Sequence, residues 1–187
     1  MRICVYAGSN PGADPAYAEA AGDLARLLAG RGIGVVYGGA RVGLMGILAD
    51  TALEAGGEVI GVMPQSLIDR EIGHTGLTEL RVVASMHERK ALMAELSDGF
   101  VALPGGAGTL EELIEIYTWS QLGLHDKPMG VVNVNGYYDG LAALLDHALH
   151  EGFLREEHRA AMHAEPTPEA LLERFAGWRP SALGKWL

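Results

Sequence analysis

Phe100-Val101-Ala102-Leu103-Pro104-Gly105-Gly106-Ala107-Gly108-Thr109-Leu110-Glu111-Glu112 passes from an apolar run, through a proline and glycines, into an amphipathic stretch. A strand that ends in glycine and hands over to a helix is the repeating unit of a parallel α/β sheet. The same alternation recurs on either side. Strands are expected at Ile3 to Ala7, Val35 to Tyr37, Val59 to Met63, Leu80 to Val83, Phe100 to Leu103 and Val131 to Val134. All are short and apolar on both faces, as strands covered by helices are. Asp14-Pro15 offers a cap and a first-turn proline ahead of Tyr17, Ala21, Leu24 and Leu28, which repeat on one helical face. Further helices are expected from about Leu44 to Ala55, Met86 to Ser97, Thr109 to Leu122 and Tyr138 to Glu151, and Thr167-Pro168 caps a last short one. No repeat or linker interrupts the series. Residues 1–187 therefore read as a single Rossmann-like domain, a doubly wound parallel sheet with helices on both faces.

Composition narrows the partners. With 14 basic and 24 acidic residues the net charge is −10, which argues against a nucleic-acid partner, because phosphate contacts need clustered Lys and Arg. A small anion is still admissible where backbone amides and a few cations converge. No apolar run approaches the roughly 20 residues of a membrane helix. The opening Met1-Arg2-Ile3-Cys4-Val5-Tyr6 runs straight into a strand, so neither a signal peptide nor a membrane partner is expected. The single cysteine, Cys4, excludes an internal disulfide and suits a reducing cytoplasm. Inside a strand it reads as a small hydrophobe rather than a nucleophile.

Ligands of such folds lie at the carboxyl ends of the strands. Glycines cluster there: Gly8-Ser9, Gly38-Gly39 and Gly105-Gly106. They read either as a cradle for phosphate and sugar or simply as tight turns. The first cluster does not spell a dinucleotide fingerprint, and the third lacks the lysine of a P-loop. What the third offers is free backbone N–H groups at a helix start, suited to one phosphate. Glu111 and Glu112 follow at once. Thr109-Leu110-Glu111-Glu112 matches a capping box, yet carboxylates beside an anion loop also suit the positive charge that develops when a glycosidic bond breaks. A side chain folded back on its own helix cannot do both.

Ser85-Met86-His87-Glu88-Arg89-Lys90 is the second cluster. Met86, Arg89, Lys90 and Met93 fall on one helical face, where Arg89 would clamp a phosphate and Lys90 add a point charge. The other reading is a surface helix whose cations are balanced by Glu88 and Glu95. His147, His150, His158 and His163 make no metal pattern, and a solvated helix is expected there, with no metal.

At this point the residues resemble a known family. Pro104-Gly105-Gly106-Ala107-Gly108-Thr109-Leu110-Glu111-Glu112 is similar to the PGGxGTxxE signature of the Lonely Guy proteins, cytokinin riboside 5′-monophosphate phosphoribohydrolases. Met86-His87-Glu88-Arg89-Lys90, Tyr37-Gly38-Gly39, Gly43-Leu44-Met45-Gly46, Thr118-Trp119-Ser120-Gln121-Leu122-Gly123 and His125-Asp126-Lys127-Pro128 resemble further segments of that family. The resemblance runs from Ile3 to about Phe153. It implies a homodimer that hydrolyses AMP, N6-modified or plain, to free base and ribose 5-phosphate without a cofactor. It also implies Arg89 and Glu112 as the catalytic pair. Glu71, Lys90, Gly105, Gly106, Ala107, Gly108, Thr109, Leu110, Glu111 and Thr118 would line the nucleoside monophosphate site, with Gly8, Ser9, Gly38 and Gly39 as additional members. Ala107 stands where many members carry tyrosine.

Two other classes compete with this reading. A molybdenum cofactor or nucleotide carrier has a similar fold and glycine loop but needs no Arg89 with Glu112. A lysine decarboxylase, a label also attached to this family, needs a Schiff-base lysine, and none of Lys90, Lys127 and Lys185 sits in a recognisable cofactor setting.

Overall fold

The computed structural model describes residues 1–68 and 73–179, and within them seven strands form one parallel sheet in the order β4-β3-β2-β1-β5-β6-β7. The strands are β1 Arg2–Tyr6, β2 Gly34–Tyr37, β3 Val59–Pro64, β4 Glu79–Val83, β5 Gly99–Ala102, β6 Met129–Val132 and β7 Met162–Glu165. The helices are α1 Pro15–Gly30, α2 Gly43–Glu54, α3 Gln65–Ile68, α4 Met86–Glu95, α5 Ala107–Gln121, α6 Asp139–His150, α7 Glu156–Ala161 and α8 Pro168–Ala176. The chain steps outward from β1 to β4, returns to the other side of β1, and steps outward again from β5 to β7. The reversal lies between β1 and β5, paired from Ile3 with Gly99 to Tyr6 with Ala102. Connections leave that point in opposite directions, which opens a crevice at the carboxyl ends of these two strands.

Alternation along the strands builds two cores. Ile3, Val5, Val35, Tyr37, Val101 and Leu103 face α1, α2 and α8. Cys4, Tyr6, Val36, Val62, Phe100 and Ala102 face α4 and α5. Helix α1 illustrates the local causes. The Asp14 carboxylate accepts the Ala16 amide at 2.9 Å and Pro15 opens the first turn. Leu24 and Leu28 are then fully buried, each stabilising the fold by about 1.5–3 kcal/mol. Burial pushes the Cys4 thiol up to about 12, so it stays a protonated hydrophobe.

Four expectations need correction. Strand β6 lies two residues earlier than the apolar run Val131 to Val134, because Val134 already begins a 3-10 turn, Val134–Gly136, whose Asn135 has φ 52°. Gly130 belongs to the strand, paired with Val101 and His163, and the position is glycine because a Cβ there would come 2.6 Å from Leu171 of α8. Strand β4 is not covered on both faces: it is an edge strand, with Val82 51% exposed. His163 lies in β7, the short polar strand at the other edge, rather than on a helix. Finally, α5 begins at Ala107 with Gly106 as its N-cap, two residues ahead of the expected start.

Candidate active site

Helix α4 starts where the chain leaves edge strand β4. Ser85 caps it, its Oγ accepting the Glu88 amide at 3.1 Å, while the Glu88 carboxylate takes the Ala84 amide at 2.8 Å. This fixes the rotation of the helix and turns Arg89, Lys90, Met93 and Ala94 inward. The surface-helix reading therefore fails: Arg89 and Lys90 are only 9% and 8% exposed, whereas Met86 is 43% exposed. Arg89 Nε donates to the Val62 carbonyl at 3.1 Å, at the end of β3. Gly38 makes the room. A Cβ at that position would lie 1.8 Å from Arg89 Nη2.

Glu112 comes to the same place from α5. Its Oε1 is 3.6 Å from Arg89 Nη1, an ion-pair distance longer than a hydrogen bond, and both side chains are nearly closed off from solvent. Burial raises the Glu112 carboxyl above the usual carboxylate range; Arg89 opposes the shift and the neighbouring Glu111 adds to it. Because the helix begins at Ala107, Glu112 is the sixth helical residue and not the third, so the capping-box reading of Thr109 and Glu112 does not hold. A buried carboxyl whose pKa is raised and which faces a fixed guanidinium is equipped to move a proton or to meet a developing cation.

Lys90 meets the other carboxylates of α5, bonding Glu111 and lying 3.0 Å from Glu115. Burial would lower the Lys90 ammonium, but those hydrogen bonds outweigh it and the net shift is upward. Glu115 was not anticipated from the sequence, although its four-residue spacing from Glu111 was there to read.

The crevice between β1 and β5 holds a cavity of about 280 Å³ lined by Gly8, Ser9, Gly105 and Gly106, with Tyr17 and Tyr137 as its aromatic walls. Thr109 is buried beneath this loop, and a Cβ on Gly105 would come 2.2 Å from its Oγ1. Gly106, Ala107, Gly108 and Leu110 are exposed at the start of α5, where no side chain caps the helix. Gly39, with φ 80°, packs on Met63 and Leu80 rather than lining this cavity. Thr118 lies farther along α5, roughly 14 Å from Thr109 by helical rise, and its Oγ1 bonds the Ile114 carbonyl at 2.8 Å. Glu71 lies outside the described residues. The sequence places Tyr17 only on a helical face, and nothing in it puts Tyr17 or Tyr137 at the site, since only the packing of α1 against the turn after β6 brings their rings to 5.8 Å. Among the described residues no cluster of His, Cys, Asp or Glu is arranged to hold a metal ion, and no helix is long and apolar enough to cross a membrane.

Residues 45–175 match a family model described as possible lysine decarboxylase. A probable cytokinin riboside 5′-monophosphate phosphoribohydrolase of Oryza sativa subsp. japonica is 51% identical over 174 residues, 93% of this chain and 78% of that protein. A cytokinin riboside 5′-monophosphate phosphoribohydrolase of Arabidopsis thaliana is 46% identical over 179 residues, 96% of this chain and 83% of its own length. Among solved structures, the molybdenum cofactor binding protein of Rippkaea orientalis superposes with a TM-score of 0.70 at 23% identity, covering 94% of this chain and 95% of that one. The molybdenum cofactor carrier protein of Chlamydomonas reinhardtii gives 0.69 at 19% identity, covering 95% and 98%. These last two share the fold, and a fold alone assigns no function.

Proposed function

The chain belongs to the Lonely Guy family of cytokinin riboside 5′-monophosphate phosphoribohydrolases, and we propose that it hydrolyses the N-glycosidic bond of an adenosine 5′-monophosphate, N6-modified or plain. The observation that carries this reading is the buried Arg89–Glu112 pair at 3.6 Å, beside a helix start left uncapped by any side chain.

In this reading the amides of Gly106, Ala107 and Gly108, with Thr109, hold the 5′-phosphate in the field of the α5 dipole. Glu112 faces the sugar. Its carboxylate stabilises the oxocarbenium-like centre at C1′ and takes a proton from the attacking water, whose hydroxyl goes to C1′. The departing base leaves with the glycosidic electron pair and takes up a proton, matching the one that Glu112 removed from water and then gives up, so that one water is divided between sugar and base. Arg89 contributes charge and hydrogen bonding. The remaining members of the proposed site are Glu71, Lys90, Gly105, Leu110, Glu111 and Thr118, with Gly8, Ser9, Gly38 and Gly39. A homodimer fits the exposed apolar residues Met86, Leu110 and Ile114 beside the site, and the single cysteine suits a reducing cytoplasm.

Lysine decarboxylation is a poor fit to the same residues. Lys90 is bonded to two carboxylates and Lys127 Nζ donates to the Ala94 carbonyl at 2.9 Å, so neither is set up as a Schiff-base amine. A carrier would have no use for burying Arg89 against Glu112.

The test is to incubate pure protein with AMP, with N6-isopentenyladenosine monophosphate and with adenosine, and to follow free base by chromatography. Release from the two monophosphates, and at least about tenfold less from adenosine, is expected. Tight binding of AMP with no base released would overturn the enzyme in favour of the carrier.

A further inference from the structure

Four successive carbonyls between β5 and α5 each accept a hydrogen bond, and the donors come from three parts of the fold. Leu103 O accepts the Tyr138 hydroxyl at 2.7 Å, and Pro104 O accepts the Gly8 amide at 3.1 Å. Gly105 O accepts the Tyr137 hydroxyl, and Gly106 O accepts the Leu110 amide at 3.1 Å. In a trans peptide the carbonyl and the following N–H point in opposite directions. Pro104 has no N–H, but the anchored carbonyls of Pro104, Gly105 and Gly106 set the directions of the Gly105, Gly106 and Ala107 amides, which have no acceptor among the described residues. Consecutive amides released in this way form an anion-binding concavity.

Two of the four anchors come from one dipeptide. Asn133 Oδ1 accepts the Tyr138 amide at 2.7 Å, and its Nδ2 donates to Asp139 at 2.8 Å, which fixes the turn after β6. From that turn the two phenols diverge. Tyr138 is buried at 2% exposure and ties down the end of β5, so its loss would damage the fold. Tyr137 is 41% exposed and walls the cavity, with its ring edge-on to Tyr17 and Tyr138. A hydrogen bond made by such an exposed hydroxyl contributes little to stability, about 0.5–1.5 kcal/mol. Its consequence is orientational.

We propose that Tyr137 is a positioning residue for phosphate: its hydroxyl sets the Gly105–Gly106 peptide so that the Gly106 N–H is presented to a phosphomonoester oxygen. The inference rests on the reading above that the 5′-phosphate lies on this loop. It makes the turn after β6, in another part of the chain, a component of substrate affinity and not of the chemical step.

The experiment compares the wild type with Tyr137→Phe and Tyr137→Leu, using base release from AMP and from adenosine and calorimetric binding of ribose 5-phosphate. For Tyr137→Phe, KM for AMP and Kd for ribose 5-phosphate rise together by about 5–10-fold, the worth of one hydrogen bond, while kcat stays within about twofold. Release from adenosine is unchanged, and Tyr137→Leu loses no more affinity than Phe. An unaltered KM in Tyr137→Phe, or a loss confined to kcat, overturns the proposal. So does an impaired Leu variant beside a normal Phe variant, which would make Tyr137 a packing residue. If the wild type itself fails to bind ribose 5-phosphate, or treats AMP and adenosine alike, the placement of the phosphate falls and this inference with it. A wild type that discriminates, beside an unaffected Tyr137→Phe, sinks only the inference.

Discussion

Helices α4 and α5 carry the same four-residue capping-box pattern near their starts, Ser85-Met86-His87-Glu88 and Thr109-Leu110-Glu111-Glu112, and use it in opposite ways. In α4 the serine is the N-cap and the glutamate reaches back to the backbone, occupied by the Ala84 amide at 2.8 Å. In α5 the cap has moved three residues upstream to Gly106, which has no side chain to offer. Thr109 is thereby drawn inside and buried, and Glu112 is carried on to face Arg89. The first start is satisfied by its own side chains and is mechanically quiet. The second is left with unanswered amides and a raised carboxyl, which is what a site for an anion and a proton needs.

The widest separation between the two starts comes from the same isosteric change at each. Glu112→Gln removes the ionisable group from the site and lowers base release by about 10²–10⁴-fold, with affinity for ribose 5-phosphate little changed. Glu88→Gln leaves release within about twofold, since glutamine serves a capping box as well as glutamate does. Steady-state rates on AMP, with calorimetry for affinity, check both. Full activity in Glu112→Gln would erase the distinction.

A smaller effect is expected where the two helices meet. Gly38→Ala places a methyl on the guanidinium, 1.8 Å from Nη2 in the present geometry, so Arg89 must leave its place against Val62 O and Glu112. Overpacking of this kind destabilises by about 1–3 kcal/mol, and kcat falls by about tenfold or more as the pair separates. Thermal melting and the same rate assay read the two parts. A variant that folds and turns over normally would show that Arg89 has slack the structure does not suggest.

What was legible in the sequence follows the range of the interactions involved. Strand and helix periodicity is local, so Ile3 to Ala7 and the helix opened by Asp14-Pro15 were within reach. The position of α5's first turn was not, because Pro104-Gly105-Gly106 moves the helix start through main-chain geometry while the four letters of a capping box stay unchanged. Gly38 could be read as a ligand cradle or a turn; its observed contact, room for Arg89, depends on a helix two strands away in the sheet. Strand β7 and the Tyr137 anchor were hidden for the same reason: each is defined by a partner distant in sequence, β6 in one case and the Gly105 carbonyl in the other.

The smallest difference between the two helix starts lies in how stability follows pH. An unfolded chain ionises its glutamates near pH 4.3. Burial raises Glu112 above that in the fold, so between the two values the native state holds more protons than the unfolded one, and stability declines as pH rises through that window. Above the folded value the penalty is constant. Glu112→Gln never ionises and escapes it, so this variant melts higher than the wild type at neutral pH, and the gap closes as pH falls towards the ordinary carboxylate range. Ser85→Ala, by contrast, loses a cap worth about 1 kcal/mol through a group that does not titrate, so its melting temperature is displaced by a similar amount across the range. Melting curves of the three proteins from about pH 4 to pH 8 make the comparison. A Glu112→Gln gap that is flat, or that favours the wild type near neutrality, would mean that Arg89 matches or outweighs the burial, and α5 would then be as well satisfied at its site as α4 is at its cap.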